Sequence, residues 1–276
     1  MSVPAYLTTN SQNSALPEVR TLQFADLGAA LAEGWQDFWR RPSHLAFLGL
    51  LYPLVGTALA VWTSGSNSWP LLYPLISGFA LVGPFVALPI YEMSRRIEMG
   101  LDTGWMGALA VFRSPSIRSI AAVGVFLLAL FTVWLMIGQS LYEDLFGPGS
   151  PASLAAFIAE VTTTPEGLSL MVWGNLIGLC FGLVVLASTL VSVPLLLDRD
   201  VGAAVAVHTS LRVMLRSPLV VIAWGLVVAA LLLVGTLPLL IGLCVVVPVL
   251  GHATWHLYRR AVPVPAVELP RAGQRR

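Results

Sequence analysis

Apolar side chains run in six long stretches along this chain, at 45–62, 71–93, 119–138, 168–197, 219–235 and 239–257. About 20 apolar residues in a helix cross a hydrocarbon core of ~30 Å, so each stretch predicts a transmembrane helix. The fourth stretch exceeds that length, which predicts a tilted helix or one that begins outside the membrane. The period changes just ahead of the first stretch. Leu27, Leu31, Trp35, Phe38 and Trp39 fall on one helical face, while Glu33, Asp37 and Arg40 take the other. Such a segment predicts an amphipathic helix lying flat at the bilayer surface, with its polar face in water.

The junction that closes this segment recurs. Phe38-Trp39-Arg40-Arg41-Pro42 precedes the first stretch, Phe112-Arg113-Ser114-Pro115 the third and Leu215-Arg216-Ser217-Pro218 the fifth. The far ends correspond too. Gly83-Pro84 leads to Tyr91-Glu92 and Arg95-Arg96, as Val247-Pro248 leads to Trp255-His256 and Arg259-Arg260. Unit-wise self-similarity of this kind predicts three units, near 21–100, 101–200 and 201–261, each an interfacial helix followed by a transmembrane hairpin. The expected fold is an all-α polytopic membrane protein with six transmembrane helices. A single domain is expected at 21–261, between disordered cytoplasmic tails at 1–20 and 262–276.

Charge fixes the expected orientation. All 15 residues of the Lys+Arg count are Arg, and every one falls before the first stretch, between even and odd stretches, or after the sixth. The opposite loops carry Glu143, Asp144, Glu160 and Glu166 and no Arg. Basic loops stay on the cytoplasmic side, so both termini are expected there. Trp62, Trp69, Trp134 and Trp173 fall near one boundary, and Trp35, Trp39, Trp105 and Trp255 near the other, as aromatic belts do. Only 11% of the residues are charged and 57% are apolar, against roughly 25% charged in a soluble domain, which excludes a soluble fold. The polar segment 1–20 lacks the basic and apolar regions of a signal peptide. Cys180 and Cys244 lie inside apolar stretches, where they act as small hydrophobes.

Three sets of residues resemble a known family: Leu22 to Leu27 with Gly34 to Phe38, Leu51-Tyr52-Pro53 with Gly56, and Gly83-Pro84-Phe85 with Tyr91, Glu92, Arg95 and Arg96. The chain resembles, over 18–261, the bacterial six-span membrane proteins known as domain of unknown function 2189. The resemblance implies a multi-pass protein of the bacterial inner membrane and brings no assigned activity.

Five residues stand out as candidates for function. His252 and His256 share a face at i, i+4, a spacing that can hold a metal or haem, although interfacial imidazoles more often bond to headgroups or backbone. Glu92 lies within a turn of Arg95 and Arg96, which predicts an i, i+3 or i, i+4 ion pair. Pro84 and Pro248 each precede the paired arginines by eleven residues, ~16 Å of helix, near the bilayer midplane. Matched breaks at that depth mark transporter sites, but an ordinary kink needs no ligand. Gly174, Gly178 and Gly182 form a strip for close helix approach, and Asp198-Arg199-Asp200 reads as a solvated helix end. Lys is absent, and no arrangement pairs a nucleophile with a base, so an enzyme is not the expected reading. The expected function is contact with lipid or a membrane complex. The alternatives are a small-solute transporter or channel and a metal or haem protein. The expected partners are the bilayer and another membrane protein, with no nucleic acid and no cofactor.

Overall fold

A computed structural model describes residues 16–40, 68–101, 107, 109–237 and 241–264. The described elements are all helical. They are α1 (Phe24–Arg40), α2 (Leu72–Phe79), α3 (Gly83–Val86), α4 (Leu88–Glu98), α5 (Ile117–Phe146), α6 (Leu154–Thr163), α7 (Pro165–Thr189), α8 (Ser192–Asp198), α9 (Ala203–Arg216), α10 (Pro218–Thr236) and α11 (Leu243–Ala261). Four helical runs among them are long and apolar enough to cross a membrane: Trp69–Glu98, Ile117–Phe146, Pro165–Asp198 and Pro218–Thr236. They match the second to fifth expected spans. The first, at 45–62, lies outside the described residues, as does Trp105. The expected sixth is α11, whose second half carries His252, His256, Arg259 and Arg260 and is packed inside the protein.

Local chemistry explains where these runs start and bend. Asp26 Oδ2 reaches back to accept the Gln23 N–H at 2.7 Å, capping α1. Thr164 caps α7 through the Gly167 N–H at 3.0 Å, with Pro165 at the first helical position. Four prolines break the second run. Short 3₁₀ turns at Trp69–Leu71 and Ala80–Val82 frame α2, and Pro84 and Pro89 sit in the first turns of α3 and α4. Between α7 and α8, Ser188, Thr189 and Ser192 turn their hydroxyls back onto carbonyls four residues earlier, at 2.7 Å each. That pattern bends helices. The Val191 N–H donates instead to Ser210 Oγ on α9, at 3.2 Å.

The Arg-bearing segments gather at one end of the bundle. Ser116 meets Asp200, Asp198 meets Arg259, and Trp255 meets Glu98 there. At the other end Tyr73 bonds Asn175 and Tyr142 bonds Glu160.

Helix α1 departs from its expected pattern in the placing of one polar side chain, Asp37. It runs antiparallel along α11: Asp26 and Glu33 meet Arg260, Asp37 meets His256, and Gly34 meets Val249 and Ala253. At 100° per residue, the packed face of Asp37, Ala30, Gly34, Leu27 and Phe38 is turned roughly a quarter-circle from the centre of the aromatic face. Asp37, expected in water, is therefore buried, while Trp35 and Trp39 remain exposed. The small side chains set this face, because they let two backbones approach.

The tail boundaries also move. The Arg20 N–H donates to Ala261 O at 2.8 Å, and Val19 and Leu22 enter the core. Arg212 and Arg216 of α9 hold the carbonyls of Pro17 and Val19. Val262 is buried as well, and Arg199 grips Pro263 O at 2.7 Å. Residues 17–20 and 262–263 thus belong to the packed domain rather than to disordered tails, because the arginines cap their free carbonyls.

Candidate functional site

Two places in the bundle collect the residues that the sequence singles out. The first is a polar seam around the second half of α11. His256 Nε2 lies 2.7 Å from Asp37 Oδ2, and its Nδ1 lies 3.2 Å from Glu33 Oε2. Arg260 spans both oxygens of Glu33 at 2.9 Å each. This fork-to-fork geometry is the strongest form of ion pairing a carboxylate makes. Hydrogen bonding to Arg260 holds the Glu33 carboxyl below its ordinary value of 4.5.

A turn further in, His252 is fully buried, with Nδ1 2.5 Å from Ser94 Oγ and Nε2 without a partner among the described residues. Glu92, also buried, takes Arg95 at 2.8 and 3.0 Å and Arg96 at 2.9 Å, the local pairs expected from its spacing. On the opposite flank Asp198 accepts from Tyr258 Oη at 2.6 Å and from Arg259 at 2.7 and 2.8 Å. Arg259 also packs over the rings of Trp255 and Tyr258. Asp198 is therefore an internal clamp rather than a solvated helix end.

The two candidate histidines do not converge on a common ligand position. His256 faces acidic groups of α1, and His252 faces α4. Among the described residues no group of three His, Cys, Asp or Glu is arranged to hold a metal. Apart from His252 Nε2, the seam is a set of satisfied pairs that ties α1, α4, α8 and α11 together, and its chemistry is that of a latch. Spacing within one helix disclosed Glu92. It did not disclose Asp37, Glu33 or Ser94, which come from segments 158 to 227 residues away. The one local signal for α1 is Ala30 and Gly34 at i, i+4, the small-residue spacing of a packed helix.

The latch has a pH signature. A depressed folded-state carboxyl stabilises the fold above its ordinary value and loses that contribution as pH falls through the lowered one. The melting midpoint in mild detergent should thus fall as pH drops below about 4.5. In Glu33→Gln that part of the pH dependence should disappear. An unchanged profile would show that the Arg260 pair contributes nothing.

The second place is the break at Pro84. It opens on a cleft of about 440 Å³ between the broken second run, α7, α10 and α11. Its lining is overwhelmingly apolar and includes Pro84, Gly182, Trp224 and Val247. Pro248 lies beside it inside an unbroken helix, so the two prolines differ in their backbones. A smaller cavity of about 250 Å³ adjoins it, sharing Leu81, Gly178 and Leu179, and is lined by Tyr73, Ser77 and Asn175.

With the geometry in view, residues 71–198 match the model of a family described as predicted integral membrane protein (DUF2189). No curated protein and no solved structure matches the chain.

Proposed function

With residues 71–198 matching that family of predicted integral membrane proteins, we propose that the chain is a multi-pass, non-enzymatic protein of the bacterial cytoplasmic membrane that acts through contacts with lipid at its arginine-bearing end. The support is a recurrence. In each of the three junctions the apolar residue before the arginine is exposed: Trp39 at 60%, Phe112 at 65% and Leu215 at 79%. An exposed large apolar side chain beside a guanidinium suits the headgroup boundary, where the first enters acyl chains and the second meets phosphate. Each arginine near an anionic leaflet is worth about 1 kcal/mol.

The protein should melt at a higher temperature in micelles containing phosphatidylglycerol than in those containing phosphatidylcholine. The triple variant Trp39→Ser, Phe112→Ser, Leu215→Ser should lose most of that difference. Equal midpoints in the two lipids for the unaltered protein would refute the reading.

In this reading the chain crosses the bilayer six times as three units, with both termini in the cytoplasm. The gathering of arginines at one end of the bundle supports it. Alkaline phosphatase fused after Pro151 should be active, and fused after Ala266 inactive; the reverse pattern would invert the orientation. A transporter reading draws on the break at Pro84 beside a void. The apolar lining there favours a lipid-like molecule over an ion or a polar solute.

A further inference from the structure

We propose that the paired cavities beside the Pro84 break form a binding site for a single-chain neutral lipid, its hydroxyl or ester head in the smaller cavity and its acyl chain in the larger. This goes beyond the arginine-end contacts proposed above and lies away from those junctions.

The geometry carries the assignment in three steps. A cleft of about 440 Å³ falls within the roughly 300–1,000 Å³ typical of small-molecule sites. Three of its four walls, the broken second run, α7 and α10, belong to helical runs long and apolar enough to cross a membrane. Among its described lining residues none is charged, so its complement is an apolar chain.

The adjoining cavity is different in kind. Tyr73 Oη donates to Asn175 Oδ1 at 2.8 Å, Asn175 Nδ2 to Met171 O at 2.7 Å and Ser77 Oγ to Tyr73 O at 2.7 Å, which leaves the second amide hydrogen of Asn175 and the hydroxyl lone pairs of Tyr73 and Ser77 for a ligand. Amide and hydroxyl groups in an apolar helical run are costly in hydrocarbon and mark points of recognition. They offer donors and acceptors without net charge, which suits a hydroxyl or ester and not a phosphate.

The glycines at the cleft separate its open wall from its packed one. A Cβ built on Gly83 or Gly182 meets nothing within 4 Å among the described residues, although both line the cleft. Gly225 and Gly251, which line it too, are pressed against Leu186 and Ile90. Gly182→Leu therefore places a side chain in the void at no cost to the helix, since leucine is the better helix former.

The test uses the full-length protein in mild detergent, titrated with a monoacylglycerol brominated along its chain. Trp224 and Trp134, on the walls of the two cavities, report the bromines by fluorescence quenching. The unaltered protein should quench saturably. Gly182→Leu should bind at least tenfold more weakly while melting at the same or a higher temperature. Asn175→Leu should weaken the monoacylglycerol but leave quenching by a brominated alkane unchanged.

Non-saturable quenching that is equal in Gly182→Leu would mean bulk partition and would overturn the proposal. So would a lower melting temperature in both Gly182→Leu and Gly83→Leu, which would assign the space to another part of this chain. Stronger saturable binding of phosphatidylglycerol than of monoacylglycerol at this site would overturn the neutral head. The phosphatidylglycerol effect that tests the arginine junctions is scored with Trp39, Phe112 and Leu215, so either reading can fail while the other stands.

Discussion

Asp198→Ala should lower stability by about 3 kcal/mol, read as the loss of melting temperature in mild detergent. Three donors converge on this carboxylate: the Tyr258 hydroxyl at 2.6 Å, Arg259 at 2.7 and 2.8 Å and Arg199 at 3.2 Å. Removing one partner from a buried pair costs roughly 3–5 kcal/mol, because the remaining charge stays out of water without compensation. The lower end of that range applies here, since the pair is only partly buried, with Arg259 18% and Asp198 15% exposed, and Arg259 keeps Glu98 at 2.9 Å. Tyr258 is completely buried and would be left with an unsatisfied hydroxyl. Asp198→Asn keeps an acceptor for that hydroxyl and should lose less. Glu98→Gln is the control. Glu98 is more than two-fifths exposed, and exposed ion pairs are worth about 1 kcal/mol or less. Equal losses for Asp198→Ala and Glu98→Gln would show that Asp198 is no clamp.

Asp198 also shows why part of this molecule was open to reading from sequence and part was not. Helical runs at the second to fifth expected spans follow from local quantities, length and hydropathy, so both are visible in a window of residues. The same holds for Glu92 with Arg95 and Arg96, whose geometry is fixed by the turn of one helix. Asp198 pairs instead with residues 60 and 61 positions away, and Asp37 with one 219 away. No period along a chain encodes which helix will lie opposite. Helix α1 shows the consequence. Its apolar and polar positions predict Asp37 in water, yet packing is set by how closely two backbones can come, and that favours Ala30 and Gly34 and carries Asp37 inward. The prolines carry the same lesson. Pro84 and Pro248 share a spacing to paired arginines, but four prolines break the run around Pro84, whereas α11 absorbs one and continues.

The backbone contact in α1 gives the sharpest test, because one substitution made twice in one helix should change sign. Gly28→Ala should raise stability by about 0.5–1 kcal/mol, since glycine inside a helix is that much worse than alanine and a Cβ there meets nothing within 4 Å among the described residues. Gly34→Ala gains the same propensity but sets its Cβ 2.6 Å from the Ala253 nitrogen and 2.7 Å from the Val249 oxygen. Both are backbone atoms of α11, so no side chain can swing aside, and the helices must separate. Overpacking of this kind costs typically 1–3 kcal/mol. Separation also lengthens the Asp37–His256 and Glu33–Arg260 pairs, which flank Gly34 on the same face, so the loss should reach the upper part of that range. Thermal melts of the two variants beside the unaltered protein decide the matter. If Gly34→Ala melts no lower than Gly28→Ala, α1 does not pack on α11 through this face.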